Sequence, residues 1–98
     1  MTRYAAVQGI RVEELGDVWA AYSPASGETH LINDESAILL EWLMAHGPAD
    51  AALAATGLSV DVGVTADALQ PRIEVGWGPL LSAGLIRRLD DGGYPRSS

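Results

Sequence analysis

Over residues 27–43, GETHLINDESAILLEWL, the chain changes its hydrophobic period. Glu28, Thr29, His30, Leu31 and Ile32 alternate as a half-buried strand does. Thr29 and Leu31 point one way, and Glu28, His30 and Ile32 the other. From Asn33 the period is helical. Asn33 is a good N-cap, and Asp34 and Glu35 put negative charge in the first turn, where free amides and the helix dipole favour it. Ala37, Leu40 and Met44, flanked by Leu39, Trp42 and Leu43, form a broad apolar stripe at three and four residue steps. A strand leading directly into a capped, buried helix is the expected centre of the fold.

Around this centre the pattern predicts further elements. Residues 10–14 read as a strand, with Gly16 and Asp17 as a turn, and residues 18–22 are rich in β formers. The Ser-Pro-Ala-Ser-Gly stretch at 23–27 is a loop, so residues 18–22 and 28–32 should pair as an antiparallel hairpin. With the first strand this makes a three-stranded meander, which needs a helical layer over one face. The helix after Asn33 should stop near His46, because Gly47 suits the left-handed C-terminal position and Pro48 cannot continue it. Residues 49–56 read as a short alanine-rich helix ending at Gly57, and 58–64 as a link to Thr65, the N-cap of a third helix. Leu69, Ile73, Trp77, Leu80 and Gly84 share one face of that helix. Pro71, Gly76, Gly78 and Pro79 predict a kink or break at 76–79, since proline in a helix interior costs roughly 3 kcal/mol. Residues 85–89 read as a short final strand and 90–98 as a disordered tail. The expectation is one α+β domain over 1–89, winged-helix-like, with a three-stranded antiparallel sheet followed by three helices.

Composition narrows the function. Ninety-eight residues allow a single core. No apolar run approaches the length of a membrane span, and residues 1–8 lack the pattern of a secretory signal. Cysteine is absent, which excludes disulfides, thiol nucleophiles and thiolate metal sites and fits a cytoplasmic location. The net charge is -7 and there is no lysine, which argues against nucleic acid, whose phosphates call for cationic side chains. No phosphate-cradling glycine loop, nucleophile elbow or acid-base carboxylate pair is recognisable. The chain reads as non-catalytic, with no cofactor, metal or membrane partner.

Trp19-Ala20-Ala21-Tyr22, the loop SPASGETHLIND, the helix SAILLEWL and the ending LLSAGLIRRL resemble the PqqD-like family, particularly its branch associated with the HPr-rel-A gene system. The likeness spans roughly residues 12–89. It departs in the third helix, where the family has ordinary helix formers in place of Pro71, Gly76, Gly78 and Pro79. The resemblance implies a RiPP recognition element, a peptide chaperone that binds the leader of a ribosomally made precursor and presents it to a modifying enzyme. The leader would add as a strand beside Glu28, Thr29, His30, Leu31 and Ile32, its side chains entering a groove against the third helix. Leu69, Ile73, Trp77 and Leu80 would line that groove, and Arg72 would pair with an acidic leader residue.

Plainer readings stand beside these. His30 suits a surface or packing role, and His46 a helix end favoured by the dipole. Trp42 reads as core, Trp77 as core or groove, and Trp19 is open between the two faces of its strand. Asp34 and Glu35 read as capping residues, and Arg87 and Arg88 as a solvated strand end. Two other functions compete with leader binding. One is an adaptor for a kinase-like partner protein of the same gene system. The other is a winged-helix DNA-binding protein, which Asp67 and Glu74 beside a lone Arg72 argue against. An exposed strand edge can also pair with a second copy, giving a homodimer.

Overall fold

A computed structural model describes residues 2–89. The order is β1 (Arg3–Ala6), β2 (Arg11–Leu15), β3 (Val18–Ser23), β4 (Glu28–Ile32), α1 (Asp34–His46), α2 (Ala51–Val62), α3 (Ala66–Ser82) and β5 (Ile86–Leu89). The fold is α+β. Strands β2, β3 and β4 form the expected antiparallel meander, and the three helices follow it. The tail expected at 90–98 lies outside the described residues.

The meander follows from alternation. Ala21 opposes Val12 and His30, and Trp19 opposes Glu14 and Ile32, so these side chains share one face. Ala21 and Ser23 are fully buried on it, and Ser23 Oγ donates to the Gly84 carbonyl at 3.2 Å, tying β3 to the turn after α3. The opposite face carries Leu15, Val18, Tyr22 and Leu31 partly or largely exposed. Trp19, which the sequence left open, is half-buried, and its Nε1 donates to Asp34 Oδ1 at 2.8 Å across the β3–α1 junction.

One strand was not foreseen. β1 pairs antiparallel with β5, Arg3 opposite Leu89 and Ala6 opposite Ile86, making a second sheet of two strands. The Arg-Tyr-Ala-Ala stretch has no strong alternation. It is held by its distant partner and by a reciprocal pair of bonds, Tyr4 N–H to the Ala49 carbonyl at 2.8 Å and Ala49 N–H to the Tyr4 carbonyl at 3.0 Å. The first meander strand begins at Arg11, one residue later than expected, and leaves Ile10 buried just before it.

α1 begins and ends where its caps predict. The Asn33 side chain accepts from Ser36 N–H at 2.8 Å, and Gly47 N–H donates to the Leu43 carbonyl at 2.8 Å. Trp42 is buried and stacks on His46 at 4.4 Å, while His46 Nδ1 donates to the Trp42 carbonyl at 3.0 Å. α2 corrects the reading of a helix ending at Gly57 and a link after it. Asp50 caps its start by accepting from Leu53 N–H at 2.8 Å, and the left-handed cap is Gly63 at φ 72°. Gly57 is a packing residue inside the helix. A Cβ there would lie 2.5 Å from Trp42 Cζ2 and 2.8 Å from Nε1, so the missing side chain is the space the indole fills. Gly57→Ala should therefore destabilise the fold, because overpacking costs about 1–3 kcal/mol and exceeds the roughly 1 kcal/mol of better helix propensity. In a Trp42→Leu background the same change should become neutral or stabilising, a reversal that urea unfolding of the four proteins will read.

α3 also departs from expectation, running unbroken through residues 76–79. Pro79 and Val75 lie on the exposed side of the helix, where water can reach the Val75 carbonyl that Pro79 cannot bond. Gly78 offers no Cβ to collide with the proline ring, the usual reason a residue before proline leaves the helical region. Burial of Leu69, Ile73, Trp77 and Leu80 on the opposite side then holds the helix together. At its end Leu85 N–H reaches the Leu80 carbonyl and Gly84 N–H the Leu81 carbonyl, a Schellman closure whose apolar contact joins fully buried Leu80 and Leu85. Among the described residues no single helix is long and apolar enough to cross a membrane.

Candidate functional site

The meander order makes β4 an outer strand, with one side bonded to β3. An outer strand presents alternate amides and carbonyls to whatever lies beside it. Its side chains are open as well. Glu28, Thr29 and Leu31 are exposed, Leu31 at 68%, and His30 and Ile32 are half-buried. His30 Nε2 is sheltered from solvent without a hydrogen-bond partner, and at 3.9 Å from Glu28 Oε1 it is beyond hydrogen-bonding reach.

The residue after β4, Asn33, lines a groove of about 340 Å³ bounded by α1, the end of α2 and α3. Its walls are mainly apolar: Ile38 and Leu39 from α1, Leu58 and Val62 from α2, and Leu69 and Ile73 from α3. Gly76 narrows the approach of α3 to α1, since a Cβ there would meet Leu39 at 3.4 Å. Arg72 and Glu35 form an ion pair between α3 and α1 within this lining, both well exposed. Such a pair contributes at most about 1 kcal/mol, because water screens it. Its larger consequence is that Arg72, the one cation lining the groove among the described residues, already has a carboxylate partner.

The residues singled out from the sequence therefore separate into three groups. Glu28, Thr29, His30, Leu31 and Ile32 do form the outer strand. Leu69, Arg72 and Ile73 do line the groove. Trp77 and Leu80 do not line it: they share the helical face but sit in the core, 4% and 0% exposed, with the Trp77 ring stacked on Tyr4 at 4.4 Å and 22°. A helix ending at Gly57, as the sequence predicts, leaves out Leu58 and Val62, the lining that α2 supplies. The Asp50 cap and the left-handed position available to Gly63 would have framed it. Pro79, a helix breaker by its chemistry, and Val75 also line the groove.

Among the described residues no three histidine or carboxylate side chains converge as a metal site. The arrangement offers main-chain bonding along an edge, an apolar slot at the end of that edge and few charged groups inside the slot. No protein-family model matches the chain, and neither a curated protein nor a solved structure does.

Proposed function

We propose that the chain is a PqqD-like peptide-binding module, a RiPP recognition element that takes a precursor leader on β4 and presents it to a modifying enzyme. The observation that carries this reading is the continuity of the outer strand with the groove. β4 ends at Ile32, and the next residue, Asn33, lines the slot between α1 and α3. A segment adding alongside β4 gains main-chain bonds along the edge and delivers a side chain to Leu69 and Ile73 at its end. Affinity then comes from the backbone and selectivity from the alternate side chains that meet the groove. The winged-helix-like order of sheet and helices suits this use better than DNA binding, since α3 exposes Asp67 and Glu74 and its Arg72 is paired with Glu35.

The adaptor reading draws on a different observation, the exposed apolar outer face at Leu15, Val18 and Tyr22. A folded partner of the kinase-like kind would cover that face, whereas an added strand uses the edge beside it.

Isothermal titration of the intact chain with N-terminal segments of small peptides encoded beside its gene tests the proposal. One peptide should bind with micromolar or tighter affinity and shift the amide resonances of β4 and of Leu69 and Ile73. Tight binding to a folded neighbouring protein with none to any peptide would assign the adaptor role instead.

A further inference from the structure

We infer that the segment accepted by this groove is cationic: an extended peptide that places one large apolar side chain between α1 and α3 and carries lysine or arginine beside it. This rests on the peptide-binding reading above and specifies its ligand. From β4 to the end of α3 the chain carries eight carboxylates and one arginine. Glu28, Asp34, Glu41, Asp61, Asp67 and Glu74 are all exposed. The remaining described arginines, Arg3, Arg11, Arg87 and Arg88, belong to β1, β2 and β5. Charge is thus segregated along the fold, negative on the elements that build the edge and the groove.

Arg72 decides the sign inside the slot. A free arginine there would call for an acidic peptide residue, but Glu35 already pairs with Arg72 and offsets its charge. An incoming carboxylate would have to share Arg72 with Glu35 and sit beside that like charge. An incoming lysine or arginine can share Glu35, whose side chain is well exposed, and meets Glu28, exposed at the strand's other end. The Debye length is about 8 Å at physiological salt, so carboxylates within a turn or two of the slot act on the ligand and more distant ones steer its approach. Complementary charge of this kind raises the association rate and rejects peptides of the wrong sign.

The test is selection of the intact chain against a displayed library of random peptides about a dozen residues long, with enriched peptides remade synthetically and titrated by fluorescence anisotropy. Enriched sequences should combine a large apolar residue with flanking lysine or arginine. Exchanging those cations for glutamate should weaken binding by at least about tenfold, and affinity should fall severalfold from about 50 mM to about 300 mM salt. Glu35→Gln should weaken the same peptides, while Glu13→Gln, on β2, should not. Enrichment of acidic or uncharged peptides that compete for β4, with no salt dependence, would overturn the charge assignment and leave peptide binding standing. Absence of any enriched peptide, or enriched peptides indifferent both to Leu31→Pro on the edge and to Ile38→Asn in the groove, would overturn the peptide-binding reading itself.

Discussion

Trp77→Ala will lower the stability of the fold by about 3–5 kcal/mol, the range for truncating a buried large aromatic. The side chain is 4% exposed, and its ring stacks on Tyr4 with centroids 4.4 Å apart. Truncation removes buried apolar surface and also the contact that seats Tyr4. That residue anchors β1 through its paired bonds to Ala49. Aromatic pairs contribute about 0.5–1.5 kcal/mol beyond their area, so Trp77→Phe, which keeps a ring for Tyr4, should recover a good part of the loss. Domains of this size have roughly 5–15 kcal/mol in hand, and the alanine variant will unfold at markedly lower urea. Because Trp77 is core, its effect must appear in the unfolding midpoint. A variant as stable as the parent, impaired only in peptide binding, would return Trp77 to the groove.

Leu31→Pro will abolish strand addition while leaving the domain folded. Leu31 is 68% exposed on the outer strand, so the exchange gives up little burial, and proline is tolerated on sheet edges as it is not in sheet centres. It deletes an amide of β4 and fixes φ where the edge must stay regular. One main-chain bond contributes only about 1 kcal/mol, but a ligand strand in register along β4 must also pass the ring, and the loss should exceed tenfold. Leu31→Lys is the companion, since it keeps the backbone and sets a charge on the edge, a common natural block to strand pairing. Circular dichroism will verify the fold of both, and titration with a bound peptide will read the effect. Undiminished affinity in a folded Leu31→Pro protein would exclude β4 as the docking edge.

Much of the candidate site was legible beforehand because its parts are local. Alternation at Glu28 to Ile32 marked the strand, and the four-residue steps of Leu69 and Ile73 marked a helical face. What spacing could not tell was the covering of that face. Leu69 and Ile73 meet the groove, whereas Trp77 and Leu80, on the same stripe, meet Tyr4 and the core. Nor could Arg72 be known as already paired, since Glu35 lies on a helix far away in sequence.

The same division runs through the fold. By itself the sequence determined the β3–β4 hairpin, both ends of α1 and the start of α3, because a loop of turn formers, Asn33, Gly47 before Pro48, and Thr65 act within a few residues of themselves. Only the tertiary structure decided three other matters. β1 is a strand because β5, at the other end of the described chain, pairs with it. α2 passes through Gly57 because the Trp42 indole fills the space a side chain would take. α3 passes through Pro79 because four buried residues hold one side of it while Val75 and Pro79 lie on its exposed side. In the two helices a local penalty of about 1–3 kcal/mol, which governs an isolated segment, is outweighed by burial of large side chains supplied from elsewhere in the chain.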